Sequence, residues 1–485
     1  MISKSFLKSS IVYTIGGALP VLAGLILLPF YTNYLSDLQY TQVAFYISVS
    51  LLLQILFSYS IESYFGIKYT QLHNDPHAQK KFVGTVSILL LLIGLALLLI
   101  TALSGKFIFS KVFNSEFQME FWPYGFYSVL TAFFNSYFKA STNALIYLKK
   151  PGLFLTSNVT NFVATLAISI GGLFLYPDSI VGPIYGRLFS GVIIFLIGQY
   201  IFNANGEFKL ERTFLKDLRQ FCTPYVFYVI SGWCLNFFDR YVLQPYIPNS
   251  DLNTYDLILK CFFGILFLQN SLTAIIYPKL YEIWAKQKEL KTTKESNRYF
   301  NVFTGINIMI LILFCIFIPL IYKLLIHNEK FYESEKYIGI LCAGYGLSSI
   351  LFFYLPTILY TKSISILLKI FGISALLQIG ISYFAINQWG LMGAIYAGLT
   401  VKSVQIILSA LLTRKIFIYD FNIVKIFGLP VLYAAVNIIL FHVYPDYSLL
   451  NYCLQLVGFS LLFYLIFKNE ISAVYKQFFF KKSAN

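Results

Sequence analysis

The sequence predicts an all-α integral membrane protein of about fourteen transmembrane helices, and three observations lead there. The first is composition. Of 485 residues, 58% are hydrophobic and only 12% charged, with a mean hydropathy of +0.71. Soluble domains carry about 25% charged residues, so a chain this apolar lacks the polar surface to meet water. The second is run length. The apolar runs are continuous and about 20 residues long, enough to cross ~30 Å of hydrocarbon as helix. A β-barrel would show shorter stretches alternating with period two. The third is charge placement, since the basic residues fall mainly between the runs.

The runs occupy roughly 9–33, 40–63, 82–104, 121–145, 152–176, 179–203, 219–244, 253–277, 300–326, 336–360, 363–386, 390–413, 424–444 and 448–467. Tyr and Trp shoulder several of them, as expected at a membrane interface. The first run is long enough to stay as a helix rather than act as a cleaved signal. Six cysteines (Cys222, Cys234, Cys261, Cys315, Cys342, Cys453) lie in or near the runs without any CxxC spacing. They read as small buried hydrophobes.

A formal charge of +15 would fit a nucleic-acid partner, but its distribution argues against one. With the N-terminus inside, the inside segments hold 25 Lys and Arg. The outside segments hold five: Lys106, Lys111, Lys323, Lys330 and Lys336. That asymmetry orients the chain with both termini cytoplasmic. It also tests the count, because one missed span would scramble the alternation downstream.

The chain repeats itself. Gly182-Pro183-Ile184-Tyr185 opens the sixth span and Gly393-Ala394-Ile395-Tyr396 the twelfth, 211 residues later. Before each of these two-helix units comes a similar join, Tyr147-Leu148-Lys149-Lys150 and Leu359-Tyr360-Thr361-Lys362. Pro20 and Pro224 hold similar early positions in spans one and seven. Residues 1–203 then form one six-span bundle, 204–218 a cytoplasmic linker and 219–414 a second bundle. Residues 415–485 add two spans and a cytoplasmic tail. Repeats with an even number of spans enter the membrane in the same direction, a common transporter plan.

Tyr13-Thr14-Ile15-Gly16-Gly17-Ala18-Leu19-Pro20, followed by Leu28-Pro29-Phe30-Tyr31-Thr32 and Tyr34-Leu35-Ser36, resembles Wzx-type polysaccharide flippases. So do Asn236-Phe237-Phe238-Asp239-Arg240-Tyr241 and Tyr277-Pro278-Lys279-Leu280. These flippases belong to the multidrug/oligosaccharidyl-lipid/polysaccharide exporter superfamily. The resemblance implies two pseudo-symmetric six-helix lobes around a central cavity with alternating access. It implies a bacterial inner-membrane flippase for lipid-linked repeat units of O-antigen lipopolysaccharide, capsule or a related polymer. A glycan polymerase and a chain-length regulator are the protein partners that go with that role, beside membrane lipids. Many relatives have twelve spans, so fourteen suggests one of the longer polysaccharide-transport branches.

Charges inside spans are costly and usually face a cavity or a partner. The basic ones are Lys139, Arg187, Arg240, Lys260, Lys369 and Lys402, and the acidic ones Glu62, Asp239 and Asp256. The surplus is positive, which suits an anionic head such as a polyprenyl pyrophosphate. Arg grips phosphate oxygens bidentately. Arg187, Arg240, Lys260, Lys402 and Lys139 are the substrate-binding candidates. Lys260 stands one turn after Asp256, so the two also read as a mutual pair. Lys139 and Lys369 sit near span ends, where snorkelling is the plainer reading. Asp239 and Glu62 are the candidate carriers of a coupling proton or sodium ion. Pro20 and Pro29, with Gly16, Gly17 and Gly24, make the first span easy to bend, as a static kink or as a hinge.

Other chemistry finds little support. His73 and His77 have a helical metal spacing, but Pro76 between them disfavours that helix. No Walker sequence and no nucleophile with its base are present, so no cofactor or enzymatic step is expected. The expected function is translocation of a polyprenyl-pyrophosphate-linked oligosaccharide. A multidrug or cation antiporter on the same fold, or a non-transporting scaffold of the polysaccharide machinery, are the competing readings.

Overall fold

The computed structural model describes residues 4–113, 118–287, 289–446 and 448–479. They form fourteen α-helices: α1 (Lys4–Tyr34), α2 (Asp37–Ser58), α3 (Ile61–Gln71), α4 (Pro76–Val112), α5 (Phe126–Tyr147), α6 (Pro151–Leu175) and α7 (Val181–Asn205), then α8 (Thr213–Leu243), α9 (Asn249–Ala285), α10 (Lys294–Leu325), α11 (Ile338–Tyr360), α12 (Ile364–Thr413), α13 (Leu429–Val443) and α14 (Leu449–Phe479). The only β pairing among these residues is one isolated bridge. The expected all-helical membrane architecture is present, with the spans divided slightly differently. α2 and α3 together make the second span. α12 breaks at Gly390, at φ 52° and ψ −130°, into the eleventh and twelfth.

Among the described residues, twelve helical stretches are long and apolar enough to cross a membrane. α5 is not among them, because Ser, Thr, Asn and Tyr punctuate it. Its polar residues face other helices, with Thr131, Ser136 and Ser141 all buried. In a membrane such residues hold helices together rather than meet lipid.

Local signals set the boundaries. Ser36 caps α2 with a reciprocal bond to Gln39, Asp75 caps α4 ahead of Pro76, and Thr293 caps α10. The break between α2 and α3 carries no such signal. Tyr59 and Ser60 both adopt left-handed conformations, at φ 48° and 52°, although neither is glycine. α1 runs unbroken through Pro20 and Pro29. A methyl at Gly16 would come within 2.7 Å of the Phe154 ring, whereas Gly17 and Gly24 face open space.

The repeat is visible in backbone hydrogen bonds. The Glu207 amide donates to the Lys80 carbonyl. Residues exactly one 211-residue offset later, Lys291 and Ile418, form the isolated bridge. In both halves a hydroxyl stitches this clip. Thr85 Oγ1 donates to Lys209 O and accepts from the Glu211 amide. Thr292 Oγ1 donates to Asp420 O and accepts from the Asp420 amide. The two joins noted in the sequence also fold alike, with Lys149 and Lys362 at φ 56° and 55°.

The chain divides into two compact units, residues 1–260 with 378–391, and residues 261–377 with 392–485. In the first, α5 is central and packs against α2, α3, α4 and α7. Phe65, Phe82, Tyr137 and Phe202 lie in its core beside Leu218 and Cys222 of α8. In the second, α11 is central against α10 and α13. Trp284, Phe300, Phe353 and Phe417 lie in its core.

Candidate substrate and gating site

Four of the nine charges that the sequence places inside spans lie together in the first unit. Arg240 Nε donates to Asp256 Oδ1 at 2.8 Å, and Lys260 Nζ lies 2.5 Å from Asp256 Oδ2. Asp239 accepts from the Arg240 amide at 2.9 Å and from the Tyr255 hydroxyl at 2.5 Å. The helix geometry explains the division of labour. Asp239 and Arg240 point about 100° apart, so the guanidinium reaches α9 while the carboxylate stays with its own helix and Tyr255. Arg240 is 3% exposed, and two cations with two carboxylates make the group neutral. Arg240 and Lys260, both substrate candidates by sequence, thus have Asp256 as their partner here.

All four charges belong to α8 and α9. The bonds joining these helices to α2 are uncharged apart from those of one residue. Thr41 Oγ1 donates to Asn253 Oδ1 at 2.7 Å, and Asn253 Nδ2 donates to Asp37 O at 2.7 Å. Trp233 Nε1 donates to Ser48 O at 3.1 Å, and Ser48 Oγ pairs with the Tyr241 hydroxyl at 2.5 Å. The exception is Tyr40, whose hydroxyl donates to Asp256 Oδ2 at 3.3 Å and accepts from Lys260 Nζ at 3.5 Å.

At the other end of α8 the ties are different. Lys68 of α3 lies 2.7 Å from Asp217, and the Tyr59 hydroxyl pairs with Thr223 Oγ1. Lys139 of α5 lies 2.9 Å from Glu62 of α3. Glu62 is 8% accessible and its Oε2 has no hydrogen-bond partner among the described residues, whereas the Lys139 side chain is 54% accessible.

Arg187 and Lys402 differ from all of these, since neither forms an ion pair among the described residues. Both are half-buried. Arg187 follows the Gly182-xxx-Gly186 pair, which brings α7 against α6 as its spacing implies. A methyl at Gly182 would lie 2.6 Å from the Gly172 backbone. Lys402, in the second half of α12, holds its ammonium 4.0 Å from the centre of the Tyr345 ring. That ring stacks on Phe262 at 4.5 Å. A cation over an aromatic face is attracted by the ring quadrupole, but its charge is not cancelled. By the 211-residue offset, Arg187 corresponds to Gly398 and Lys402 to Gly191. Each bundle carries its cation where the other carries glycine, one turn apart.

Lys369 lies near the start of α12 with no ion pair among the described residues. His73 and His77 turn to different partners, the Thr70 carbonyl and Glu207. The sequence reading missed Tyr40, Thr41, Asn253, Tyr255 and Tyr345. Nothing marks them beforehand, because Tyr and Asn near helix ends are common in this chain. Only proximity to Asp256 singles out Asn253 and Tyr255.

The chain is similar over 96% of its length to a solved structure of the lipid II flippase MurJ in an inward closed conformation. The TM-score is 0.68 at 15% sequence identity, and 99% of that chain is covered. The chain has the fold of a polytopic membrane transporter. A multidrug resistance MATE family transporter of the MOP superfamily, inward-facing, is similar at TM-score 0.59 and 13% identity, covering 88% of this chain and 96% of that one. A MOP superfamily transporter from Pyrococcus furiosus is similar at 0.58 and 14%, covering 85% and 95%. No protein-family model matches the sequence, and no curated protein matches it.

Proposed function

We propose that the chain flips an anionic lipid-linked glycan, a polyprenyl-pyrophosphate-linked oligosaccharide, from the inner to the outer leaflet of a bacterial cytoplasmic membrane. The observation that carries this reading is the pair Arg187 and Lys402. Each stands on the same helix of its repeat, inside a span, without a carboxylate partner among the described residues. Desolvated cations of this kind favour an anionic ligand. The pyrophosphate linkage supplies that charge, and the lipid tail stays in the bilayer. The likeness in fold to a lipid II flippase supports the substrate class, and the 25-to-5 basic asymmetry supports the direction. O-antigen and capsule units both fit.

The MATE-type fold likeness raises a drug extruder as the alternative. A cationic drug wants an unpaired carboxylate. The three carboxylates inside spans, Glu62, Asp239 and Asp256, are instead each engaged by a cation. The test is a strain lacking this protein and any redundant flippase. Accumulation of complete lipid-linked repeat units on the cytoplasmic face, with loss of surface polymer, is expected. Rescue by the wild type but not by Lys402→Ala is expected too. Normal surface polymer without accumulation would overturn the proposal.

A further inference from the structure

Tyr345 of α11 has both faces of its ring occupied, by groups of opposite kind. The Phe262 ring of α9 lies against one face, with centroids 4.5 Å apart and planes 6° from parallel. The Lys402 ammonium of α12 lies 4.0 Å from the centre of the same ring. A cation on the side already filled by Phe262 would collide with it, so the ammonium holds the opposite face. Phe262 is backed in turn by Phe314 of α10, at 4.8 Å. Phe262 and Tyr345 are both buried, so no ring face is left on which a sugar could stack. Backbone bounds the ammonium from a second direction. A methyl at Gly344 would fall 3.2 Å from Lys402 Nζ and 3.4 Å from Lys402 Cδ. The lysine thus lies along α11 at a residue without a side chain. All of these residues belong to the second unit.

The first unit supplies a comparison. By the 211-residue offset, Tyr345 corresponds to Phe134, Lys402 to Gly191 and Phe262 to Leu51. A methyl at Gly191 would fall 3.2 Å from Phe134 Cδ2, so those two positions pack together there as well. A ring against the last helix of the bundle is therefore common to both repeats, and packing accounts for it. The cation on that ring, and the second ring behind it, belong to the second repeat alone.

A lysine side chain loses much rotamer freedom when its ammonium is fixed on a ligand. An ammonium over a desolvated ring is drawn to the negative face of the π-system and keeps its charge. The ordering is then complete before a ligand arrives, which removes that cost from binding. A carboxylate partner would order the lysine too, but it would cancel the charge that an anion needs.

We infer that Tyr345, stacked on Phe262, is a positioning residue that holds the Lys402 ammonium ready for the pyrophosphate of the lipid-linked glycan. The inference rests on the flippase reading and adds to it the residue that sets the place of one cation.

The test replaces Tyr345, in the full chain, by phenylalanine carrying no, one, two or three ring fluorines. Fluorines drain the negative face of the ring and hardly alter its shape, so packing stays while the hold on the cation fades. Two quantities are measured in detergent: affinity for an isoprenyl pyrophosphate, and the unfolding midpoint without ligand. Relative to the unfluorinated Tyr345→Phe, affinity should fall stepwise, to about tenfold weaker at three fluorines, and the midpoint should fall with it. Lys402→Met should bind weakly and show neither trend. The same fluorine series at Phe134, which faces Gly191, should be flat and so reports the effect of fluorine alone. Flat affinity across the Tyr345 series, with the wild type binding and Lys402→Met weakened, would overturn the positioning role and leave the flippase reading standing. A stepwise fall that persists in Lys402→Met would assign the effect to ring packing and overturn the role equally. A wild type that binds no isoprenyl pyrophosphate would sink the flippase reading and this role with it.

Discussion

Thr41 of α2 donates a 2.7 Å hydrogen bond to Asn253 of α9, and Asn253 passes the connection back to the Asp37 carbonyl. With Trp233 and Tyr241 on Ser48, this makes a seam of uncharged bonds between α2 and the α8–α9 hairpin. Each is worth about 1 kcal/mol net. The hairpin keeps its own counter-charges, so parting the seam separates no ion pair and only takes the Tyr40 hydroxyl from Asp256 and Lys260. If the basic loops lie inside, as the sequence predicts, the seam is at the outer face. Thr41→Cys/Asn253→Cys should form a disulfide with mild oxidant, and the cross-linked protein should lose transport reversibly. Undiminished transport with the bond quantitatively formed would show that the seam never opens.

Asp256 is the hub of the buried charges. Replacing it with Ala leaves Arg240, 3% exposed, with only the longer 3.7 Å contact to Asp239, and strips Lys260 of its carboxylate. Removing one partner of a buried pair costs about 3–5 kcal/mol. Asp256→Ala should therefore lower the unfolding midpoint sharply. Asp256→Ala combined with Arg240→Met should recover much of the loss, because the buried charge goes with its partner. A double variant no better than the single would mean that Asp256 acts through packing.

The sequence disclosed the spans because lipid-facing runs must be continuous. The repeat was readable from Gly182 and Gly393, and the clips at Lys80 and Lys291 carry the same offset into hydrogen bonds. Two things were hidden. Tyr59 and Ser60 break the second span without glycine or proline, since the surrounding packing, not local preference, holds them. Partner choice among the charges is a tertiary matter, so Lys260 beside Asp256 was open by spacing alone, and Arg240 gave no sign of reaching α9.

The first clip depends on Gly84. A methyl there would come 1.6 Å from the Glu207 carbonyl oxygen, so the backbone itself must move. Gly84→Ala should undock residues 206–212 from α4 and break the Thr85 bonds to Lys209 and Glu211. A penalty of about 1.4 kcal/mol would raise the undocked fraction about tenfold. Trypsin cleavage at Lys209 and Arg212 reads that fraction directly. The corresponding change in the second half, Thr292→Val, should loosen the 290–293 segment before α10 and leave cleavage at Lys209 unaltered. Equal cleavage of wild type and Gly84→Ala would show that the linker is not held by this contact.

Glu62 and Lys139 form a pair with unequal members. The carboxylate is 8% accessible and the ammonium side chain 54%. Losing Lys139 strands a buried charge, whereas losing the Glu62 charge leaves an ammonium that water can reach. Lys139→Ala should therefore destabilise the chain more than Glu62→Gln, which keeps the side-chain shape. Adding Glu62→Gln to Lys139→Ala should restore stability towards the level of Glu62→Gln alone. If Glu62 also carries a coupling proton or sodium ion, Glu62→Gln would transport slowly while unfolding near the wild-type midpoint, and its rate would lose its dependence on the gradient of that ion. Normal, gradient-dependent transport by Glu62→Gln would remove Glu62 from coupling and leave Asp239, through Asp239→Asn, as the residue to test.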